Sequence, residues 1–199
     1  MATLRPTTLL LVLVAAAVAA AGAARAGDPL AQDPPPQATA AEAAQVEEFN
    51  KRVQALLDLR SGIEKGTPPV SDTATPDEID RAQRGLESAL RSARSGARQG
   101  DLFAPIEGFV RKTIADLIAS PQGALIKASI MDENPLTITV HVNDRYPDEV
   151  PLATMPPQLL DVLPRMPEEL EYRFVGAHLV ILDPHAHLIC DVIPQALPE

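Results

Sequence analysis

The sequence predicts an α+β protein in which helices come first and a sheet follows. Apolar residues recur at helical spacing between residues 40 and 130, and two segments open on the Thr-x-x-Glu pattern of a helix N-terminus. After residue 135 the apolar residues alternate with polar ones, as in a strand. We therefore expect three long helices and one short helix, then a four-stranded, mainly antiparallel sheet with a proline-rich crossing.

The first 26 residues have the features of a secretory signal peptide. Arg5 precedes an apolar run, and Ala24-Arg25-Ala26 fits the pattern of small residues at which such peptides are cleaved. We expect cleavage before Gly27 and export to the periplasm or the extracellular space of a bacterium. The alternative is a retained membrane anchor, because the uncharged stretch reaches the lower limit for a membrane span.

The rest of the chain is expected to form a tether and one domain. Residues 27–38 include three consecutive prolines, which favour an extended tether. Residues 39–199 are expected to form a single domain, helical up to residue 134 and a sheet from residue 135. One domain is favoured because a small sheet needs a cover for its apolar face.

Helix-start signals and breakers place four helices in the first part. Thr39 with Glu42 and Thr75 with Glu78 form capping boxes, and Asp101 is the expected N-cap of a third helix. The third helix is the most apolar and is expected at the centre of the core. A strand is the alternative for residues 124–130. The helices are expected to begin after Thr39, Thr75, Asp101 and Ser120 and to end near Ile63, Gly96, Ala119 and Asn134.

The chain after residue 135 contains the sequence patterns of four strands. The first strand is expected from Leu136 to Val142, where Leu136, Ile138, Val140 and Val142 alternate with polar residues. Tyr146–Pro167 contains six prolines and is expected to be irregular, with one short helix from Pro157 to Leu163. Three strands connected by hairpins follow at Glu169–Val175, Leu179–Asp183 and Leu188–Ile193.

Composition excludes several classes of function. The chain has 27 acidic and 17 basic residues, a formal charge of −10, whereas a nucleic-acid binder needs a basic face. It lacks the local motifs of serine hydrolases, nucleotide-binding proteins and zinc peptidases, so we expect no cofactor. The single cysteine, Cys190, lies in an apolar segment and is expected to be a buried thiol. Intermolecular pairing or a reactive thiol is the alternative.

The first functional hypothesis is a non-enzymatic binding protein of the cell envelope with a protein partner. Its contact surface would be the acidic end of the sheet or the proline-rich crossing, where apolar side chains lie between prolines and form a preformed ridge. Packing of the same residues around the sheet edge is the structural alternative. The candidate contact residues are Leu152, Met155, Leu159 and Leu160.

The second hypothesis is a metal-assisted hydrolase. Asp183, His185 and His187 are close in sequence, Asp191 follows, and imidazole and carboxylate groups bind divalent metals. The sequence identifies no third ligand with its supporting hydrogen bonds, so two exposed histidines on a hairpin turn are the alternative. No bound metal is expected.

Overall fold

The computed structural model describes residues 39–66, 70–71, 73–132, 134, 139–148, 151 and 154–199. The expected signal peptide and tether therefore lie outside the described residues, as does Leu152. Within the described part, helices are followed by an antiparallel sheet, which confirms the α+β class.

The described residues contain five helices. Both capping boxes are formed: the Thr39 hydroxyl accepts the Glu42 N–H at 3.2 Å while the Glu42 carboxylate accepts the Thr39 N–H at 2.7 Å. Thr75 and Glu78 repeat this arrangement, so two helix starts follow directly from local sequence. The helices are α1 (Ala40–Lys65), α2 (Pro76–Ala93), α3 (Glu107–Ile118), α4 (Gly123–Asp132) and α5 (Pro157–Leu160). None of these described helices is both long and apolar enough to cross a membrane.

The described residues form three strands rather than the expected four. They are β1 (Glu171–Val175), β2 (His178–Asp183) and β3 (Leu188–Ile193), joined in that order as an antiparallel sheet. Of the strand expected at 136–142, residues 136–138 lie outside the described residues and residues 139–142 are irregular. The reason is a turn at Asn143, whose φ is 70°, after which the chain meets β3 through one isolated bridge, Arg145 to Leu188.

The sheet is covered on both faces. On one face the rings of Phe49, Phe103 and Tyr172 stack in sequence, with centroids 6.3 and 6.2 Å apart, among apolar residues of the helices. On the other face Val140 and Val142 pack with Tyr146 against the sheet. The alternating pattern thus predicted the burial of these two valines although the segment is not a strand.

A β-bulge in β3 connects the sheet to the chain between α2 and α3. Ile181 lies opposite Asp191 and Leu182 lies opposite Ile189, so Cys190 is the extra residue. A bulge takes backbone groups out of the sheet ladder, and here Arg94 donates to the Cys190 carbonyl at 2.7 Å. The end of α2 is therefore fixed to the centre of β3.

The fully buried carboxylate of Asp191 explains where α3 begins. It accepts the N–H groups of Gly100, Leu102 and Phe103, each at 2.8 Å. These residues curve around the carboxylate in turns, and α3 starts only at Glu107. The expected N-cap role of Asp101 is therefore wrong: its carboxylate accepts the N–H of Arg98, which precedes it, at 2.7 Å.

The second helix also ends earlier than expected, at Ala93. The Asn143 side-chain amide donates to the carbonyls of Arg91 and Arg94 at 3.0 and 3.1 Å. These contacts satisfy carbonyls that a helix leaves unpaired at its C-terminus. The residue that caps α2 comes from a distant part of the chain, where helix periodicity gives no signal.

We expect Asp191→Ala to lower the free energy of unfolding by about 3–5 kcal/mol, because it leaves the N–H groups of four residues without their acceptor, namely Gly100, Leu102, Phe103 and Val192. Urea unfolding measures the change. Asp116→Ala, which removes an exposed ion pair with Lys112, is the control and changes stability by about 0.5 kcal/mol or less. Equal effects of the two substitutions would contradict the role given to Asp191.

Asp191 also gives a pH dependence with a defined sign. Burial raises its pKa above the ordinary 3.8, against the opposing effect of the four N–H donors around it. Its contribution to stability is thus complete below about pH 4 and is lost as pH rises through the raised native pKa. The Asn side chain of Asp191→Asn does not titrate. The free energy of unfolding of the wild type, measured relative to that of Asp191→Asn, should therefore fall as pH rises. Chemical unfolding at successive pH values measures this, and the opposite trend would refute it.

Gly123 is required by the close approach of α3 and α4. A Cβ at this position would lie 1.7 Å from the Ile118 carbonyl oxygen. We expect Gly123→Ala to lower the free energy of unfolding by about 2–4 kcal/mol. Gly85→Ala is the control: Gly85 lies within α2 with open space around its Cβ position, so alanine should stabilise by about 0.5–1 kcal/mol. Thermal melts compare them, and a neutral Gly123→Ala would contradict this packing.

Candidate functional site

The turn between β2 and β3 contains the residues of the metal hypothesis. Asp183 ends β2, and one of its carboxylate oxygens accepts the N–H groups of His185 and Ala186 at 3.0 and 2.9 Å. This side chain closes the turn in the manner common for aspartate. His187, with φ of 49°, completes the turn and leads into β3.

The second carboxylate oxygen of Asp183 is bound by a buried arginine. Arg60 of α1 is only 5% exposed and donates from Nε to Asp183 at 2.8 Å. Its Nη1 donates to Glu64 at 2.8 Å. Its Nη2 lies 3.1 Å from Nδ1 of His185, so this imidazole nitrogen accepts a hydrogen bond from the guanidinium. Arg60 thus occupies the lone pairs that Asp183 and His185 would offer to a metal.

The two histidines of the turn have different partners. His187 Nδ1 lies 2.9 Å from the carboxylate of Asp148, which Arg145 and Arg84 also contact, at 2.6 and 3.1 Å. The hydrogen bond from Arg145 is the largest effect that holds the pKa of Asp148 below its ordinary value. His185 contacts α1, whereas His187 contacts Asp148 of the 139–148 segment. The turn therefore separates the pair that the sequence suggested.

Asp191 does not join these residues, because its carboxylate oxygens accept backbone N–H groups in the core. Among the residues that the structure describes, no three His, Cys, Asp or Glu side chains are grouped as a metal site would require. The geometry gives the metal-assisted hydrolase hypothesis no support.

Cys190 is buried, as its apolar context predicted. Burial raises the pKa of its thiol to about 12, so the nucleophilic thiolate is not formed near neutral pH. The thiol therefore packs as a small apolar group in the core between the sheet and the helices.

The proline-rich crossing separates its apolar residues into two groups. Met155 and Leu159 are buried in the main core, so they are not available to a partner and belong to the structural alternative. Leu160 is 49% exposed, and Val162, which the sequence did not single out, is 37% exposed. One helical turn cannot direct adjacent leucines to the same side, which is why Leu159 is buried while Leu160 is exposed.

The comparisons with known proteins identify no relative. No family model matches the chain. No curated protein matches it. No solved structure matches it.

We expect Arg60→Met to lower the free energy of unfolding by about 3–5 kcal/mol, since it leaves the buried Asp183 carboxylate without its cation. Lys51→Met is the control because the Lys51–Glu47 pair is exposed, and its effect should be small in comparison. Urea unfolding measures both. A small effect at Arg60 would show that the turn does not depend on this ion pair.

Proposed function

We propose that this protein is an exported, non-enzymatic binding protein of the cell envelope whose partner is a cationic protein. The binding surface consists of Leu160, Asp161 and Val162, and we call it the acidic-apolar surface. The single observation that carries the proposal is the exposure of Leu160 and Val162 on either side of a carboxylate that forms no ion pair with any described residue, on a segment that is otherwise anchored in the core.

The anchoring makes the surface preorganised. Leu159 and Leu163 are buried, and both belong to the main core. They fix α5 and the turn after it, so Leu160 and Val162 are displayed from a backbone whose position is already set. A partner that binds here loses less conformational entropy than one that must order a free segment.

The charge around the acidic-apolar surface indicates which kind of partner it prefers. Residues 128–199 contain 12 acidic residues and three arginines. The buried acids, Asp183 and Asp191, are satisfied inside the fold, whereas Asp161 and Glu168 are exposed and form no ion pair with any described residue. An apolar centre with an acidic rim fits a partner that presents apolar side chains surrounded by Lys or Arg.

The expected cleavage of a signal peptide gives a test of the proposed location. If Ala24-Arg25-Ala26 directs cleavage, the protein recovered from the exported fraction has an intact mass that begins at Gly27. Arg25→Ala should be processed as the wild type is, since the middle position of the pattern is free, whereas Ala26→Arg should leave the full chain. Unprocessed wild type retained in the cytoplasm would contradict export.

Photo-crosslinking in the cells that make the full chain tests the binding surface. A photoreactive amino acid at Leu160 should capture a protein with a basic surface, and capture should weaken with added salt because the contact is partly ionic. The matched control places the same group at Leu125, which is 75% exposed on α4.

Variants of the surface separate its two parts. With the photoreactive group at Val162, Leu160→Ser and Asp161→Asn should each reduce the captured amount several-fold, whereas Leu125→Ser should not. Capture that is independent of Asp161 and of salt would refute a cationic partner. Equal capture from Leu125 would refute the acidic-apolar surface altogether.

A further inference from the structure

Three donors from three parts of the chain converge on the carboxylate of Asp148. Arg145 and His187 contact one of its oxygens at 2.6 and 2.9 Å, and Arg84 contacts the other at 3.1 Å. Arg84 belongs to α2, Arg145 to the 139–148 segment and His187 to the β2–β3 turn. We call these three donors the anion cradle.

Other contacts hold the two arginines in place independently of Asp148. The Arg145 guanidinium donates to the Ala186 carbonyl and to the Gln83 side chain, each at 3.3 Å. Arg84 is 54% exposed and is also paired with Asp80 at 2.9 Å. The Arg145 and His187 side chains are 15% and 26% exposed, whereas Asp148 is 40% exposed. Two of the three donors are thus less exposed than the carboxylate that they contact.

Arg145 has one more donor than its contacts use. Nε of Arg145 is buried and has no hydrogen-bond acceptor among the described residues. A carboxylate offers two oxygens, and Asp148 already shares them among three donors. A tetrahedral oxyanion offers four oxygens and carries more charge, and paired arginines with a histidine are well suited to bind it.

We propose that Arg84, Arg145 and His187 form a binding site for a phosphate-like oxyanion, and that Asp148 occupies this site in the absence of the ligand. Asp148 is ionised at neutral pH, since Arg145 holds its pKa below the ordinary value. It is therefore an intramolecular competitor of an incoming anion. The acidity of the chain as a whole opposes binding only weakly, because charges more than about 8 Å away are screened at physiological salt.

The anion cradle is independent of the acidic-apolar surface. The two share no residue, and they prefer ligands of opposite charge. Loss of partner capture at Leu160 leaves the cradle untouched, and failure of the cradle leaves the proposed function unchanged.

The first experiment removes the competitor in the full chain. In Asp148→Ala, inorganic phosphate at 100 mM should raise Tm by about 3–5 °C relative to sodium chloride of equal ionic strength, as expected for a ligand present at about ten times its Kd. In wild type the rise should be smaller, because Asp148 competes.

Phosphate also stabilises proteins generally, so two controls are needed. Asp116→Ala removes a carboxylate from an exposed pair with Lys112 and reports the general effect. Asp148→Ala combined with Arg145→Met should lose the extra rise. Nitrogen NMR provides a direct readout, since phosphate should shift the His187 ring signals in Asp148→Ala but leave His141 unchanged.

Each outcome decides the proposal. If Asp148→Ala is folded and its response to phosphate equals that of Asp116→Ala, with no change at His187, the cradle is only an ion-pair network and the proposal is refuted. If Asp148→Ala is unfolded in chloride, phosphate should restore its circular dichroism signal, and failure to do so refutes the proposal. Asp148→Asn, which keeps an acceptor but not the charge, should give an intermediate response.

Discussion

The structure depends most on one buried carboxylate. Asp191 lies in the middle of β3, where its charge has no access to water, so its oxygens must be satisfied by donors within the fold. Backbone N–H groups of residues 100–103 supply them and thereby determine the path of the chain between α2 and α3. The same turn inserts Phe103 between Phe49 and Tyr172. The start of α3 and the position of Phe103 in the core are thus consequences of a single polar requirement.

The ion pair of Arg60 with Asp183 follows the same logic at the end of β2. Both carboxylates belong to the sheet, and both accept hydrogen bonds from groups in the helical part of the chain, an arginine for Asp183 and backbone N–H groups for Asp191. Apolar packing drives the two parts together, but it tolerates sliding, whereas a buried charge requires its partner at hydrogen-bond distance. These two contacts therefore fix the register of the helices against the sheet.

The elements that were predicted correctly are those whose formation depends on neighbouring residues. The capping boxes at Thr39 and Thr75 and the three final strands were found because their signals lie within a few residues of one another. The start of α3 was missed because the carboxylate that bends residues 100–103 is about 90 positions away in the chain. The alternating pattern around Val140 indicated correctly that these side chains pack against the sheet, but it did not indicate strand pairing. Side chains can pack on a sheet face without the backbone hydrogen bonds of a paired strand.

The candidate site was predicted only in part for a related reason. His185 and His187 are only two residues apart in sequence. In a turn, however, the direction of each side chain depends on the group that it contacts. Arg60 on α1 receives one ring and Asp148 the other. The sequence likewise did not show which of Leu159 and Leu160 is buried, because that depends on how α5 packs against the core. In both cases the outcome depends on residues that are distant in sequence.

The placement of acids in this chain constrains what it can bind. Buried acids act within the fold, and their donors come from the fold itself. Exposed acids such as Asp161 form no ion pair with any described residue and are solvated by water, so their charge is available to another molecule. Asp148 lies between these cases, because it is partly exposed yet contacted by two arginines and a histidine. The charge of Asp148 is therefore used within the fold although its side chain reaches the surface, and only a group that displaces it could use the same donors.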